Sequence, residues 1–220
     1  MGLKPPAAVA YIAPFAVFIA LRWLPFPPEW LAPVRFVLVA ATLAALSRRA
    51  MPGRPGFAAG SILLGAAVLA IWIGPDLLWG QRYREFVLFH NGVTGVARSS
   101  LPAYLKLNSG FIAVRVLESA ILIPIIEELF WRGWLMRWAI RSDFESVPVG
   151  QYTALSFWAV ALLFAAEHGP YWEVGLMAGV AYNWWAVRTR NLADCMLAHA
   201  VTNALLAGYV LVFDQWQYWL

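Results

Sequence analysis

The stretch Ile121-Leu-Ile-Pro-Ile-Ile-Glu-Glu-Leu-Phe-Trp-Arg-Gly-Trp134 decides the fold, because it places two adjacent carboxylates and an arginine in an apolar helical run. Lipid is a poor solvent for such groups, so other side chains must compensate for their charge. An ionisable residue within a membrane helix is by default a functional-site hypothesis. Glu127, Glu128 and Arg132 are therefore the first candidates for a site.

The composition around this stretch is that of a polytopic membrane protein. Of the 220 residues, 62% are hydrophobic and only 13% are charged, whereas soluble domains carry about 25% charged residues. No segment is long and polar enough to form a separate soluble domain, so residues 1–220 are expected to form a single integral membrane domain. The net charge of +4 is modest, and the basic residues lie mostly between apolar runs, which argues against a nucleic-acid partner.

Seven apolar runs are long enough to cross a bilayer as helices, which takes about 20 residues each. The predicted fold class is all-α, a transmembrane bundle of seven to eight helices with an intramembrane polar cavity. The runs are continuous, whereas the strands of a membrane β-barrel alternate in polarity. The predicted runs are Ala7–Leu24, Leu31–Leu46, Phe57–Ile73, Phe111–Ile140, Tyr152–Glu167, Tyr171–Val187 and Leu192–Phe213.

The distribution of basic residues predicts the orientation of the bundle. Lys4 and the later basic clusters fall on one side if the runs alternate, and the positive-inside rule makes that side, with the N-terminus, cytoplasmic. The long connection 80–110 also carries basic residues and would be external. We expect it to be either a plain loop or a re-entrant or interfacial helix, which would be the eighth element.

Helical geometry separates the roles of the central charged residues. Glu128 and Arg132 are four residues apart, so they share a helix face and can pair. Glu127 is rotated by about 100° from Glu128 and must find its partners on another helix. This predicts a supporting pair, Glu128–Arg132, and a chemically active Glu127. Arg115 and Glu118 form a second spaced pair nearer the external end, for which a structural role is predicted.

Two of the three histidines lie in or beside later spans. His168 follows Phe164 by four residues, and His199 precedes Asn203 by four on a common helix face. Imidazole titrates near neutrality and serves as a base, a donor or a metal ligand. Two histidines and a carboxylate from three helices are sufficient to activate a water molecule. The third histidine, His90, lies in a loop and is expected at the surface.

The predicted spans do not bring these residues to one depth. Glu127 falls near mid-span, His199 about two turns from the cytoplasmic end, and His168 at the external end of its run. At about 1.5 Å per residue, these depths would differ by roughly ten ångströms. A common site therefore requires either a tilted fifth helix that starts later or different helix boundaries.

Three short segments that carry these polar residues also resemble a known set of sequence motifs. Glu127-Glu128-x-x-x-Arg132, Phe164-x-x-x-His168 and His199-x-x-x-Asn203 are similar, in order and spacing, to the motifs of the CPBP family of intramembrane proteases. That family includes the type II CAAX prenyl endopeptidase and many bacterial relatives. The form Pro124-Ile-Ile-Glu-Glu-Leu-Phe-Trp-Arg-Gly133 resembles in particular the CAAX-protease-related branch found beside exosortase and PEP-CTERM systems.

The resemblance implies a membrane endopeptidase whose core helices lie within residues 111–213. Glu127 and His168 would activate water, His199 and Asn203 would hold the oxyanion, and Glu128 and Arg132 would support them. No cofactor is required in this scheme. The partners would be the lipid bilayer and a membrane-associated protein or peptide substrate, and the location a bacterial inner membrane.

Two alternatives stay open at this point. In a metalloenzyme variant, Glu127, His168 and His199 would bind zinc and leave a position for water. In a different class of protein, the same polar residues would serve a non-catalytic scaffold or a proton-coupled carrier. The residues do not identify the substrate or the oligomeric state.

Overall fold

The computed structural model describes residues 7–99 and 101–219. Within these residues the fold contains eight helices and no strand. Short 3₁₀ turns at Gln81–Glu85, Phe144–Ser146, Gly169–Tyr171 and Trp216–Tyr218 lie between or after them. The helices are α1 (Val9–Arg22), α2 (Pro28–Leu46), α3 (Ala58–Trp79), α4 (Ala103–Lys106), α5 (Ser109–Trp138), α6 (Ala154–Ala166), α7 (Trp172–Thr189) and α8 (Leu192–Phe213).

The predicted all-α membrane bundle is confirmed. Helices α2, α3, α5 and α8 are each long and apolar enough to cross a membrane, and α1 and α6 are shorter apolar helices. Each of the seven predicted runs overlaps one of these helices or α7, whereas seven separate crossings remain a prediction. Lys4, which contributes to the predicted orientation, lies outside the described residues.

Polar side chains and left-handed residues set the helix ends. Asn108, Thr153 and Asn191 cap α5, α6 and α8, each accepting a hydrogen bond from a backbone N–H of the first turn. Such caps satisfy donors that have no partner within the helix. Helices α7 and α8 end where Arg190 and Asp214 adopt φ values of 52° and 57°.

The prediction that the third helix ends at Ile73 is wrong, because α3 continues through Pro75 to Trp79. Proline removes a backbone donor and disfavours a helix interior. A tertiary contact anchors the last turns, since Asp76 accepts a hydrogen bond of 2.6 Å from the hydroxyl of Tyr218. Burial, with the hydrogen bond to Asp76 adding to it, raises the pKa of Tyr218, so the phenol remains a donor.

The long helix α5 is not a regular α-helix. Two π-helical segments, Glu118–Leu122 and Leu129–Leu135, flank the α-helical segment Ile123–Glu128 that carries both central glutamates. Single π turns in helices occur frequently at functional sites. The local widening of α5 therefore coincides with the residues that the sequence singles out.

Helix α8 lies against α3, α5 and α7, and its contact with α3 is the most extensive in the bundle. The two backbones approach closely at Gly65, where an added Cβ would lie 2.4 Å from the carbonyl oxygen of Ala198. A hydrogen bond of 2.9 Å from the hydroxyl of Thr202 to the carbonyl oxygen of Gly65 stabilises the same contact. This packing directs the His199 face of α8 towards the interior.

The outer surface of the bundle suits lipid. The hydropathic windows of the four long helices are only 17–33% buried within the protein. Large apolar side chains such as Leu63, Leu155 and Val212 point outwards. Water-exposed surfaces rarely carry apolar area on this scale, so these faces are the lipid-contacting ones.

Candidate active site

A cavity of about 520 Å³ lies within the bundle, lined by all the long helices and by residues 94–96, 98 and 218–219. Glu127, His168, His199 and Asn203 all line it. His168 and Glu127 thus face one cavity, although the predicted spans place them at different depths. Helix α6 ends at Ala166, and the turn that follows carries the histidine inwards.

Glu128 is the centre of a buried polar network. Its Oε1 accepts hydrogen bonds from Nη1 of Arg132 and from Nδ1 of His199, both at 3.0 Å. Arg132 also donates to Oδ1 of Asn183 at 2.8 Å and to the carbonyl of Gly179 at 3.2 Å. The pair predicted from the helical spacing is present. Glu128 has a further task that the spacing does not predict, since it orients His199.

The contact with Glu128 fixes the proton on one nitrogen of His199. A carboxylate paired with arginine only accepts hydrogen bonds, so Nδ1 of His199 is the donor. The ring also stacks on Tyr182, with centroids 4.9 Å apart, and the hydroxyl of Tyr182 is tied to Thr202 at 2.7 Å. Nε2 of His199 is thereby aimed at Glu127, whose Oε2 lies 4.0 Å away.

Glu127 lies at the wall of the cavity without a complete set of partners. The residue is 5% exposed, and its Oε2 makes no hydrogen bond with any described residue. Its neighbour on another helix, as the rotation argument requires, is His199 on α8, at 4.0 Å. A buried carboxylate oxygen with an unused lone pair can accept a proton or a hydrogen bond from a ligand.

His168 presents one nitrogen to the cavity. Its Nδ1 lies 2.6 Å from the carbonyl oxygen of Phe164, and because a carbonyl only accepts, Nδ1 is the donor. In the neutral ring, Nε2 then keeps its lone pair. Gly175 makes room for this ring, since a Cβ there would lie 3.2 Å from the imidazole. A side chain at position 175 would therefore crowd a candidate site residue.

Asn203 faces the same cavity from α8. Its Nδ2 donates to the carbonyl oxygen of Ser119 at 2.8 Å, which connects α8 to the π-helical segment of α5. A side-chain amide carries two N–H donors, so one of them remains available to a ligand. His199 and Asn203 are four residues apart on one helix face, so both groups can address a single acceptor atom.

An ion cluster outside the cavity holds the turn that carries His168. Arg84 donates to Asp76 on α3 at 2.7 Å, to Glu173 on α7 at 2.5 Å and to the carbonyl of Pro170 at 3.0 Å. Pro170 is two residues beyond His168. The guanidinium group thus fixes the turn between α6 and α7 against α3 and limits the freedom of the imidazole.

Arg115 and Glu118 form the predicted ion pair at 3.3 Å, and the structure adds a stronger partner. Glu118 is completely buried and receives two hydrogen bonds from Arg35 of α2, at 2.7 and 2.6 Å. Glu118 therefore does not reach the surface of the bundle. The carboxylate instead cross-links α2 and α5 beside the cavity.

Sequence reasoning overlooked two further residues of the site. Asn183 holds Arg132 on one side and donates to the carbonyl of Phe157 at 2.7 Å on the other. Glu167 lines the cavity beside Glu127. Nothing in the sequence marks Asn183 in particular. Glu167 does carry a signal, because it is a charged residue inside the motif Phe164-x-x-x-His168.

The zinc alternative requires Glu127, His168 and His199 to lie close enough together to share one ion. Across 7–99 and 101–219, no three His, Cys, Asp or Glu side chains are grouped so that they could hold a metal ion. Cys195 is buried in the core, and His90 is exposed as predicted.

The fold and the cavity define the class: an integral membrane helical bundle that encloses acids, imidazoles and an amide at one polar site. Residues 109–205, slightly less than half of the chain, match the family model described as Type II CAAX prenyl endopeptidase Rce1-like. This part of the chain is therefore similar to the CPBP, or CAAX-type, family of intramembrane proteases. No curated protein and no solved structure matches the chain.

Proposed function

We propose that the protein is an intramembrane endopeptidase that hydrolyses a peptide bond of a membrane-associated protein or peptide with a water activated by Glu127 and His168. The observation that carries the proposal is the convergence of Glu127, His168, His199 and Asn203 on one cavity. The family match supports the protease class. The assignment of roles to these residues is our inference from their geometry.

Water activation needs a base and a second group that orients the molecule. Glu127 supplies an unused carboxylate oxygen, and His168 supplies the lone pair of Nε2. A water between them would give one proton to Glu127 while hydrogen-bonding to His168. A positioned general base contributes about 10²–10⁴ in rate.

The oxyanion formed by the attack needs hydrogen-bond donors, and His199 and Asn203 face the cavity on the same helix. Asn203 has one N–H that does not bond to Ser119. When His199 is an imidazolium, Nδ1–H donates to Glu128 and Nε2–H is free for the oxyanion. One such donor contributes about 10²–10³ to kcat. Glu128 and Arg132 act through His199 and are positioning residues.

We further propose a bacterial inner membrane location with a cytoplasmic N-terminus, from the distribution of basic residues. The long motif around Glu127 supports membership of the exosortase-associated branch of the family. A prenylated substrate would then be unexpected, and a sorting-signal peptide or a transmembrane segment is the proposed substrate class. No resident cofactor is required in this scheme.

Replacement of Glu127 by Gln tests the function. Membrane proteins from cells that express the wild type or the Glu127→Gln variant would be compared for new peptide termini by mass spectrometry. We expect cleavage products only with the wild type, with equal amounts of both proteins in the membrane. Equal products from both would contradict the proposal and would fit a scaffold or a carrier. A wild type that is fully active in chelator excludes the zinc variant, and stoichiometric bound zinc would support it.

A further inference from the structure

The wall of the cavity that α2 and the start of α5 form carries more arginine than carboxylate. Two guanidinium groups, those of Arg35 and Arg115, share the carboxylate of Glu118. Arg35 donates two hydrogen bonds to it, of 2.7 and 2.6 Å, whereas Arg115 donates one of 3.3 Å. Both arginines line the cavity, and Glu118 is completely buried behind them. Two cations on one anion leave a positive charge without a counter-ion, which is costly inside a membrane protein.

Arg115 is the member of this group with incomplete hydrogen bonding. A guanidinium group has five N–H donors, and in the described part of the chain only Nη1 of Arg115 has an acceptor. Its Nε is buried without a partner there. The side chain is 17% exposed, and its Cζ lies 5.5 Å from the ring centroid of Trp219, which also lines the cavity. The guanidinium group is therefore held at the cavity wall with unused donors.

Two more arginines, Arg22 and Arg98, line the same cavity and are exposed at the protein surface, which places them at its opening. Neither forms an ion pair with an acidic side chain within residues 7–99 and 101–219. The two carboxylates of the cavity lining, Glu127 and Glu167, form no ion pair with an arginine in that range. Clefts lined by one sign of charge concentrate ligands of the opposite sign. The opening and the wall at Arg115 therefore favour an anionic ligand.

Arg115 also lies close to a group proposed to hold the oxyanion. Ser119, one helical turn further along α5, accepts the hydrogen bond of 2.8 Å from Nδ2 of Asn203. Four residues of helix rise by about 6 Å. Each residue of an extended peptide spans about 3.3 Å, so an anionic group bound at Arg115 belongs to a substrate residue about two or three positions from the scissile bond.

We propose that Arg115 binds a carboxylate group of the substrate and is a specificity-determining residue, with Arg22 and Arg98 attracting the same group at the opening. The carboxylate belongs to an acidic side chain or to a free C-terminus, since both present two oxygens to a guanidinium group. This inference deepens the proposed function and rests on it for the position of the scissile bond. The three motifs that resemble the protease family do not include Arg115.

Peptide binding tests the carboxylate site without cleavage, in protein that carries Glu127→Gln so that no peptide is consumed. The probes are N-palmitoylated, fluorescently labelled octapeptides of alanine and leucine. One has a central Glu and a C-terminal amide, one a central Gln and a free C-terminus, and the uncharged probe a central Gln and a C-terminal amide. Fluorescence anisotropy in lipid nanodiscs should give a Kd about 10- to 100-fold lower for a carboxylate probe than for the uncharged one. The tighter of the two carboxylate probes identifies the source, and equal Kd values for all three overturn the proposal.

A substitution of Arg115 tests which residue causes the preference. Arg115→Gln, in the same background, should abolish the preference and leave the Kd of the uncharged probe unchanged, which also shows that the protein is folded. Glu118 keeps its two hydrogen bonds from Arg35 in this variant. The control, Arg82→Gln, removes an exposed arginine that does not line the cavity and should keep the preference. A preference that survives Arg115→Gln, or that Arg82→Gln abolishes as well, contradicts the assignment to Arg115.

Cleavage kinetics connect the site to the reaction, with a peptide from a site that the wild type cleaves and its uncharged twin, in which the carboxylate is replaced by an amide. Arg115→Gln should raise KM for the carboxylate peptide about 10- to 100-fold with kcat nearly unchanged, and should not affect the twin. A lower kcat for both peptides would indicate a structural role and contradict the proposal. If the binding preference is present and the wild type cleaves no membrane protein, the proposed function fails while the carboxylate site stands. If the wild type cleaves both peptides equally well, the function stands and the carboxylate site is wrong.

Discussion

Replacement of Glu128 by glutamine should lower the free energy of unfolding by about 3–5 kcal/mol, the cost of removing one partner of a buried ion pair. Glu128 and Arg132 are both completely buried. Oε1 of Glu128 accepts two hydrogen bonds of 3.0 Å, from Arg132 and from His199. Two bonds to charged groups at about 1.5–3 kcal/mol each give a sum in the same range. Glutamine keeps the shape of the side chain and leaves the guanidinium without its counter-ion.

The measurement is a titration of the protein in mixed micelles with sodium dodecyl sulfate, followed by the fluorescence of its 13 tryptophans. The matched control is the double variant Glu128→Gln/Arg132→Met, which removes both charges of this pair. It should cost clearly less than the sum of the two single variants. Part of the cost of Arg132→Met remains in the double variant, because the acceptors on Asn183 and Gly179 lose their donor, at about 1–3 kcal/mol.

Two results would refute this reasoning. A loss below about 1 kcal/mol for Glu128→Gln is what a solvent-exposed pair gives, and it would mean that the network is not buried. Strict additivity of the two single variants would mean that Glu128 and Arg132 do not interact.

Two other substitutions test the parts of the fold that position the site. Gly65→Ala should lower the free energy of unfolding by about 1–3 kcal/mol in the same titration, because its Cβ would lie 2.4 Å from the carbonyl oxygen of Ala198. The control, Gly53→Ala, has nothing within 4 Å of the added Cβ and should lower it by less than about 0.5 kcal/mol. Equal losses would contradict the close packing of α3 on α8. Arg84→Met should lower the free energy of unfolding by about 3 kcal/mol. It should also speed hydrogen–deuterium exchange at residues 168–171, because this turn loses the hydrogen bond from Arg84 to the carbonyl of Pro170. Unchanged exchange there would show that Arg84 does not hold the turn.

The helices can be predicted from the sequence because each is an apolar run bounded by polar or left-handed residues. The last helix, Leu192–Phe213, coincides with the prediction at both ends. The end of α3 was missed, because Gly74-Pro75 is a strong local stop signal and the contact of Asp76 with Tyr218 that carries the helix beyond it spans 142 positions. Local sequence carries no information about such a contact.

The candidate site, like the helices, can be predicted from the sequence only in part. Glu127, His168 and His199 can be found from the sequence, because charged or titratable groups within apolar runs are costly and therefore conspicuous. Their partners cannot be found in this way, because the contacts of Asn183 with Arg132 and Phe157 depend on how α7 packs against α5 and α6. The pairing of Arg35 with Glu118 across 83 positions depends on how α2 packs on α5. The shared cavity of the four site residues is likewise a result of tertiary packing. The spans predicted from the sequence place these residues at different depths.

The central claim is that Glu127, His168, His199 and Asn203 act together on one peptide bond. The most direct measurement is an experimental structure of the Glu127→Gln variant in lipid with an uncleaved peptide substrate bound. The account predicts that the scissile carbonyl oxygen lies about 3 Å from Nε2 of His199 and Nδ2 of Asn203, with a water between residue 127 and His168. A peptide bound away from these groups, or a metal ion held between them, would contradict it.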